Sequence, residues 1–213
     1  MMDTYTEQHE YERLKALWKE YGNALIAGVA IGIVVLFGTK YWRDLQERKR
    51  VEASVLYEQL LEAGRARQGE QARAAGEKLV KEYDATPYAA MASLVLARQA
   101  QDAGDTAAAR RHLEWAVTNA RQDGVRHTAR LRLARVLSAA GEDSAALALA
   151  DVKDMAGFEA EYHELRGDVL LKLGRRDEAR TAYGEALKHL REPSPYQSLL
   201  RMKLDDLGPG KTS

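Results

Sequence analysis

Residues 88–116 read YAAMASLVLARQAQDAGDTAAARRHLEWA. Two runs rich in Ala, Leu, Arg and Gln, all good helix formers, flank Gly104-Asp105. Glycine reaches the left-handed backbone region at no steric cost and so ends helices readily. Ala97 stands seven residues before this glycine, with Ala109, Leu113 and Ala116 five, nine and twelve after it. Small residues at such positions let two helices cross closely, and the one large side chain fills the groove between them. The stretch predicts a helical hairpin.

The pattern recurs. Around Gly174 stand Gly167, Ala179, Tyr183 and Ala186. Around Gly141 stand Ala134 and Ala146, but Ala150 and Lys153 fill the last two places, which predicts a short or bent second helix before Gly157. These glycines are 37 and 33 residues apart, and Gly69-Glu70 lies 35 before the first. Only Ala74 fits around Gly69, which makes the first unit degenerate, as terminal repeats often are. A period near 34 with a glycine turn inside each unit is the tetratricopeptide pattern, against an irregular helical bundle with chance glycines. Pro87 and the Pro193/Pro195 pair fall between units, where helices must stop. Residues 196–206 predict a last helix whose Leu199, Leu200, Met202 and Lys203, with Leu207, cover the open end of the stack. The expected fold is all-α, an α-solenoid of about four helix pairs plus a capping helix.

Upstream lies a different kind of segment. Residues 21–39, YGNALIAGVAIGIVVLFGT, carry no charge and span about 28 Å as a helix, close to the hydrocarbon thickness of a bilayer. Trp18 and Tyr21 sit at one end, Tyr41 and Trp42 at the other, like the aromatic belts at two membrane interfaces. A cleavable leader would begin with a short basic stretch and end in a small-residue cleavage site, and neither is present. A buried soluble helix is usually shorter and carries a polar stripe. The reading is an uncleaved single transmembrane helix. Ala24, Gly28 and Gly32 recur every four residues, which predicts a close helix–helix contact in the membrane; the alternative is that glycine is simply common there. Tyr11, Leu14, Leu17, Trp18 and Tyr21 form an amphipathic pattern, either an interfacial helix turning at Gly22-Asn23 or an extension of the span. The expected organisation is a tail over 1–20, an anchor over 21–42, repeats over 43–207 and a disordered end over 208–213. Residues 1–20 hold three Lys/Arg and residues 40–59 five, so the positive-inside rule places the repeats in the cytoplasm.

Composition narrows the function. The 213 residues balance 32 Lys+Arg against 32 Asp+Glu, so no global field draws the chain to nucleic acid. Cysteine is absent, which removes disulfide scaffolds, thiol catalysis and thiolate metal sites. The five histidines form no metal-binding motif, and Glu159 with His163 at i, i+4 reads as a surface pair. Gly208-Pro209-Gly210-Lys211-Thr212 imitates the end of a phosphate loop, but Asp205 stands where its first glycine belongs and no helix follows. Neither an enzyme nor a cofactor is expected.

Repeat stacks of this kind bind polypeptide along the face lined by the first helix of each unit. By register that face carries Met91, Leu94, Arg98 and Gln101, then Thr128, Leu131, Arg135 and Ser138. Apolar residues with two arginines suit a polypeptide better than a small molecule. Asn23 and Asn119 are the chain's asparagines, too few for the paired-asparagine clamp of cytosolic co-chaperones.

Trp18-Lys19-Glu20-Tyr21-Gly22-Asn23-Ala24-Leu25, Gly28-Val29 and Gly38-Thr39-Lys40-Tyr41-Trp42 resemble the start of the YfgM proteins of Gram-negative bacteria. The likeness continues through Tyr88–Ala97, Leu131–Val136, Leu165-Arg166-Gly167-Asp168 and Met202–Leu207, and covers nearly the whole chain. The resemblance implies a non-enzymatic ancillary subunit of the SecYEG translocon with one inner-membrane helix, a cytoplasmic N-terminus and a periplasmic repeat domain. It further implies association with the membrane-anchored periplasmic chaperone PpiD and transfer of translocating polypeptides to periplasmic chaperones. This topology opposes the one the flanking charges give. The competing expectation is a membrane-anchored cytosolic adaptor that assembles a membrane protein complex.

Overall fold

Four turns with one hydrogen-bond pattern set the architecture. The computed structural model describes residues 3–190 and 194–208; within the first helix, side chains are described at 15, 18, 19 and from 32 onward. Among the described residues there are nine helices: α1 (Asp3–Arg65), α2 (Gly69–Glu82), α3 (Pro87–Asp102), α4 (Thr106–Asn119), α5 (Asp123–Ala139), α6 (Asp143–Ala150), α7 (Glu159–Lys172), α8 (Arg176–Lys188) and α9 (Tyr196–Asp205). The chain divides into two units, Met1–Val51 and Glu52–Ser213.

In the second unit the hairpins are α1–α2 (from Glu52), α3–α4, α5–α6 and α7–α8. At each turn the third residue past the helix donates its N–H to a carbonyl five residues back: Gln68 to Ala63 (2.9 Å), Asp105 to Ala100 (2.8 Å), Glu142 to Leu137 (2.9 Å) and Arg175 to Leu170 (2.9 Å). This helix-ending bond needs a left-handed residue just before the donor. Gly104, Gly141 and Gly174 supply it, with φ of 77°, 87° and 76°. In the first hairpin the left-handed residue is Arg67 (φ 58°), not Gly69, which opens α2. The first unit is therefore displaced by two residues from the register that Gly69 suggests. Anchored on Arg67, the turn residues stand 37, 37 and 33 apart, and Leu60, Ala72, Gly76 and Leu79 take the repeat positions, all buried.

Complementary sizes hold each crossing. Leu113 packs with Ala97 among the buried residues of the largest core cluster. At the last hairpin Tyr183 lies against Gly167, and in the first hairpin Gly76 lies under Leu96 of α3. The third hairpin has Ala134 and Ala150, both small, and α6 stops at Ala150 as expected. The segment 151–158 closes the gap, with Val152, Met155 and Phe158 packed on the core. There His127 takes the position held by Ala53, Ala90 and Ala160 elsewhere; its Nδ1 is 2.9 Å from the Tyr162 hydroxyl and its ring stacks on Phe158.

Pro87 opens α3, where its missing N–H costs nothing. Leu200 of α9 and Leu207 in the turn after it, both buried, seal the last hairpin, while Leu199 and Met202 stay exposed. Residues 209–213, the expected tail and phosphate-loop imitation, lie outside the described residues.

In the first unit α1 continues through Gly22-Asn23 as helix. Val34, Leu36 and Phe37 are 70%, 70% and 69% exposed, and Trp18, Tyr41 and Trp42 are exposed as well. The Thr39 hydroxyl donates to the Leu36 carbonyl, so it needs no outside partner. Among the described residues no helix is long and apolar enough to cross a membrane. The side chains of residues 20–31, including Ala24 and Gly28, lie outside that description. Gly32 has nothing within 4 Å of a Cβ built on it.

Candidate polypeptide-binding groove

Counting back from Arg67, Gly104, Gly141 and Gly174 aligns the first helices of the four hairpins. Ten residues before each turn stand Tyr57, Leu94, Leu131 and Glu164; six before stand Leu61, Arg98, Arg135 and Asp168. Of these, Tyr57, Leu94 and Arg98 line an open groove of about 650 Å³ between α1, α3 and α5. Tyr57, Met91, Leu94 and Val95 give it an apolar wall, with Arg98, Gln122, Gly124, Val125, Thr128 and Arg132 around them. Tyr57 is held against Tyr88, ring centroids 5.7 Å apart, and burial pushes its hydroxyl pKa up. It stays a neutral hydrogen-bonding tip on an apolar body.

Four of the eight residues expected on this face line the groove together: Met91, Leu94, Arg98 and Thr128. Gln101 is exposed but does not line it. Leu131 corrects the expectation, because it is 4% exposed and belongs to the core. Helix α5 is packed by α3, α4, α6 and α7, leaving no free face at that point. Arg135 reaches toward Glu164 on α7 at 3.5 Å. The Ser138 hydroxyl donates to Asp143 at 2.7 Å, and its carbonyl accepts from Lys172, so it ties the α5–α6 turn to α7. Lys172 Nζ also donates to Asp143 at 2.9 Å, and the hydrogen bonds from Ser138 and Lys172 hold the Asp143 carboxyl below its usual range.

Register on Gly69 hid Tyr57; register on Arg67 finds it. A second feature carries no local sequence signal. On α7 the corresponding face is acidic, and α9 covers it. Lys203 Nζ lies 2.7 Å from both Glu164 Oε1 and Asp168 Oδ1. The Tyr196 hydroxyl donates to Glu164, and that of Tyr183 donates to Asp168 at 2.7 Å. Burial opposes the Lys203 charge, but hydrogen bonds to Asp168 and Glu164 outweigh it and keep its pKa above the ordinary value. Burial, then those carboxylates, push both tyrosine hydroxyls up. The cluster is satisfied within itself and fixes α9. Among the described residues no group of three or more His, Asp or Glu is placed to hold a metal ion.

Stacked helical hairpins with a shared turn and an apolar groove beside the first three of their first helices define a tetratricopeptide-like repeat protein. A tetratricopeptide repeat-like domain family model matches residues 15–209. The ancillary SecYEG translocon subunit of Escherichia coli is 31% identical over 207 residues, covering 97% of this chain and 99% of the relative. Those of Haemophilus influenzae and Neisseria gonorrhoeae are each 30% identical over 203 residues, covering 94% of this chain and 97% of either relative. The chain belongs to this tetratricopeptide repeat-like family, that of the ancillary SecYEG translocon subunits.

Proposed function

We propose that the chain is a non-enzymatic ancillary subunit of the SecYEG translocon. Residues 21–42 anchor it in the inner membrane, residues 1–20 lie in the cytoplasm and the repeats over 43–207 stand in the periplasm. There the groove holds polypeptides leaving the channel and passes them to periplasmic chaperones, with the membrane-anchored PpiD as partner. The observation that carries this reading is the end-to-end match to relatives of that description. The exposed apolar run at Val34, Leu36 and Phe37, between exposed aromatics at Trp18 and Tyr41-Trp42, supports the anchor. An apolar groove with arginines suits a transient hold on unfolded chain.

One observation favours a second reading. Five Lys/Arg over 40–59 against three over 1–20 suit a cytosolic adaptor that assembles a membrane complex. Because the chain has no cysteine, Ser198→Cys, at an exposed position on α9, makes a single reporter. With the outer membrane permeabilised and the inner membrane intact, an impermeant maleimide labels it if the repeats are periplasmic. Labelling only after lysis establishes the cytosolic adaptor.

A further inference from the structure

The groove between α1, α3 and α5 is charged with one sign. Among the described residues, Arg98 and Arg132 are the charged side chains in its lining, and no carboxylate lines it. Two acids stand nearby. Asp102 pairs with Arg98 at 2.9 Å, but the two side chains are 60% and 72% exposed, and a pair so exposed to water contributes little. Asp123 pairs with Arg126 one turn further along α5. Gly124 and Val125, in the first turn of α5, also line the groove, and their N–H groups precede the first intrahelical bond, from Arg126 to the Gln122 carbonyl. The Gln122 side chain makes no cap to them. The positive end of the α5 dipole adds to the two arginines, offset in part by Asp123 in the same first turn.

The contrast with the next hairpin sharpens the point. On α7 the matching positions are Glu164 and Asp168, and their charge is engaged by Lys203 of α9. Any segment in the open groove thus meets apolar side chains and two arginines, of which Arg98 is held only by an exposed pair with Asp102, while the acidic face beyond is already covered. Given the polypeptide-holding role above, on which this rests, we infer that the groove selects extended segments in which apolar residues are flanked by Asp or Glu. Arg98 and Arg132 receive the carboxylates, and Tyr57, Met91 and Leu94 receive the apolar side chains.

The test uses the purified full chain and three fluorescent synthetic peptides sharing one Leu/Val/Tyr core, flanked by Asp, Asn or Lys. The Asp peptide binds about tenfold tighter than the Asn peptide, and the Lys peptide weaker than either. Added sodium chloride shrinks the Asp–Asn ratio. The ratio collapses in the Arg98→Gln/Arg132→Gln double variant and survives in Arg98→Lys/Arg132→Lys, with circular dichroism reporting that both are folded. Equal affinity for the Asp and Asn peptides overturns the selectivity and leaves the groove as a polypeptide site. A folded chain that binds none of the three overturns both.

Discussion

A Cβ built on Gly167 overlaps the ring of Tyr183 at Cε1, so something must move. Tyr183 is fully buried and its hydroxyl is bonded to Asp168, so it has little room to yield. Gly167→Ala should destabilise the repeat unit by about 1–3 kcal/mol, read as a lower denaturant midpoint. Adding Tyr183→Leu, the size found at Leu113, should make the two changes less costly together than their sum. Strict additivity would mean the two residues do not share this contact.

Arg67 holds a left-handed backbone that costs a non-glycine residue about 1–2 kcal/mol. Arg67→Gly should therefore raise stability by roughly 1 kcal/mol, a few degrees in thermal midpoint. A fall in midpoint would show that the Arg67 side chain contributes more than its backbone costs.

Acid should weaken the fold. Burial lowers the pKa of His127, aided by Arg130 and Arg126, and burial likewise lowers those of His112 and His163. A histidine depressed in the folded state binds its proton more readily unfolded. Its contribution is complete above the unfolded pKa of about 6.5 and is lost as pH falls through that value toward the folded one. The denaturant midpoint should drop between about pH 7.5 and about pH 5.5, and drop less in His127→Gln, which keeps a partner for Tyr162. An identical drop in that variant would remove His127 from the effect.

Leu94 and Leu131 occupy the same repeat position with different fates. Leu94 is half-buried at the groove, and Leu131 is in the core. Leu94→Ser should weaken binding of an apolar peptide at least about tenfold, with a smaller loss of stability than at Leu131 because Leu94 only partly packs on the core. Leu131→Ala should cost about 2–5 kcal/mol of stability. The reverse outcome would place the groove elsewhere.

The glycines at 104, 141 and 174 made three hairpins legible because a left-handed turn nearly demands that residue. The first was misplaced by two residues because Arg67 takes the strain while Gly69, a helix-opening residue, looks like the turn. That same slip concealed Tyr57. Met91, Leu94, Arg98 and Thr128 were readable from register alone. Leu131 was not, since whether a first-helix residue faces solvent depends on how tightly its neighbours close. The Lys203–Glu164 contact joins residues 39 apart across the return of α9, and no local pattern announces such a meeting.

The central claim, a subunit of the translocon, is tested most directly by isolating the tagged full chain from inner membranes in mild detergent and probing for SecY. The account predicts that SecYEG co-isolates, and that Gly28→Leu with Gly32→Leu sharply reduces the yield. Gly32 has open space around it, so the loss that Gly32→Leu causes by itself would reflect the partner rather than the fold. A chain recovered intact from the membrane without SecYEG, under conditions that keep SecYEG itself assembled, would contradict it.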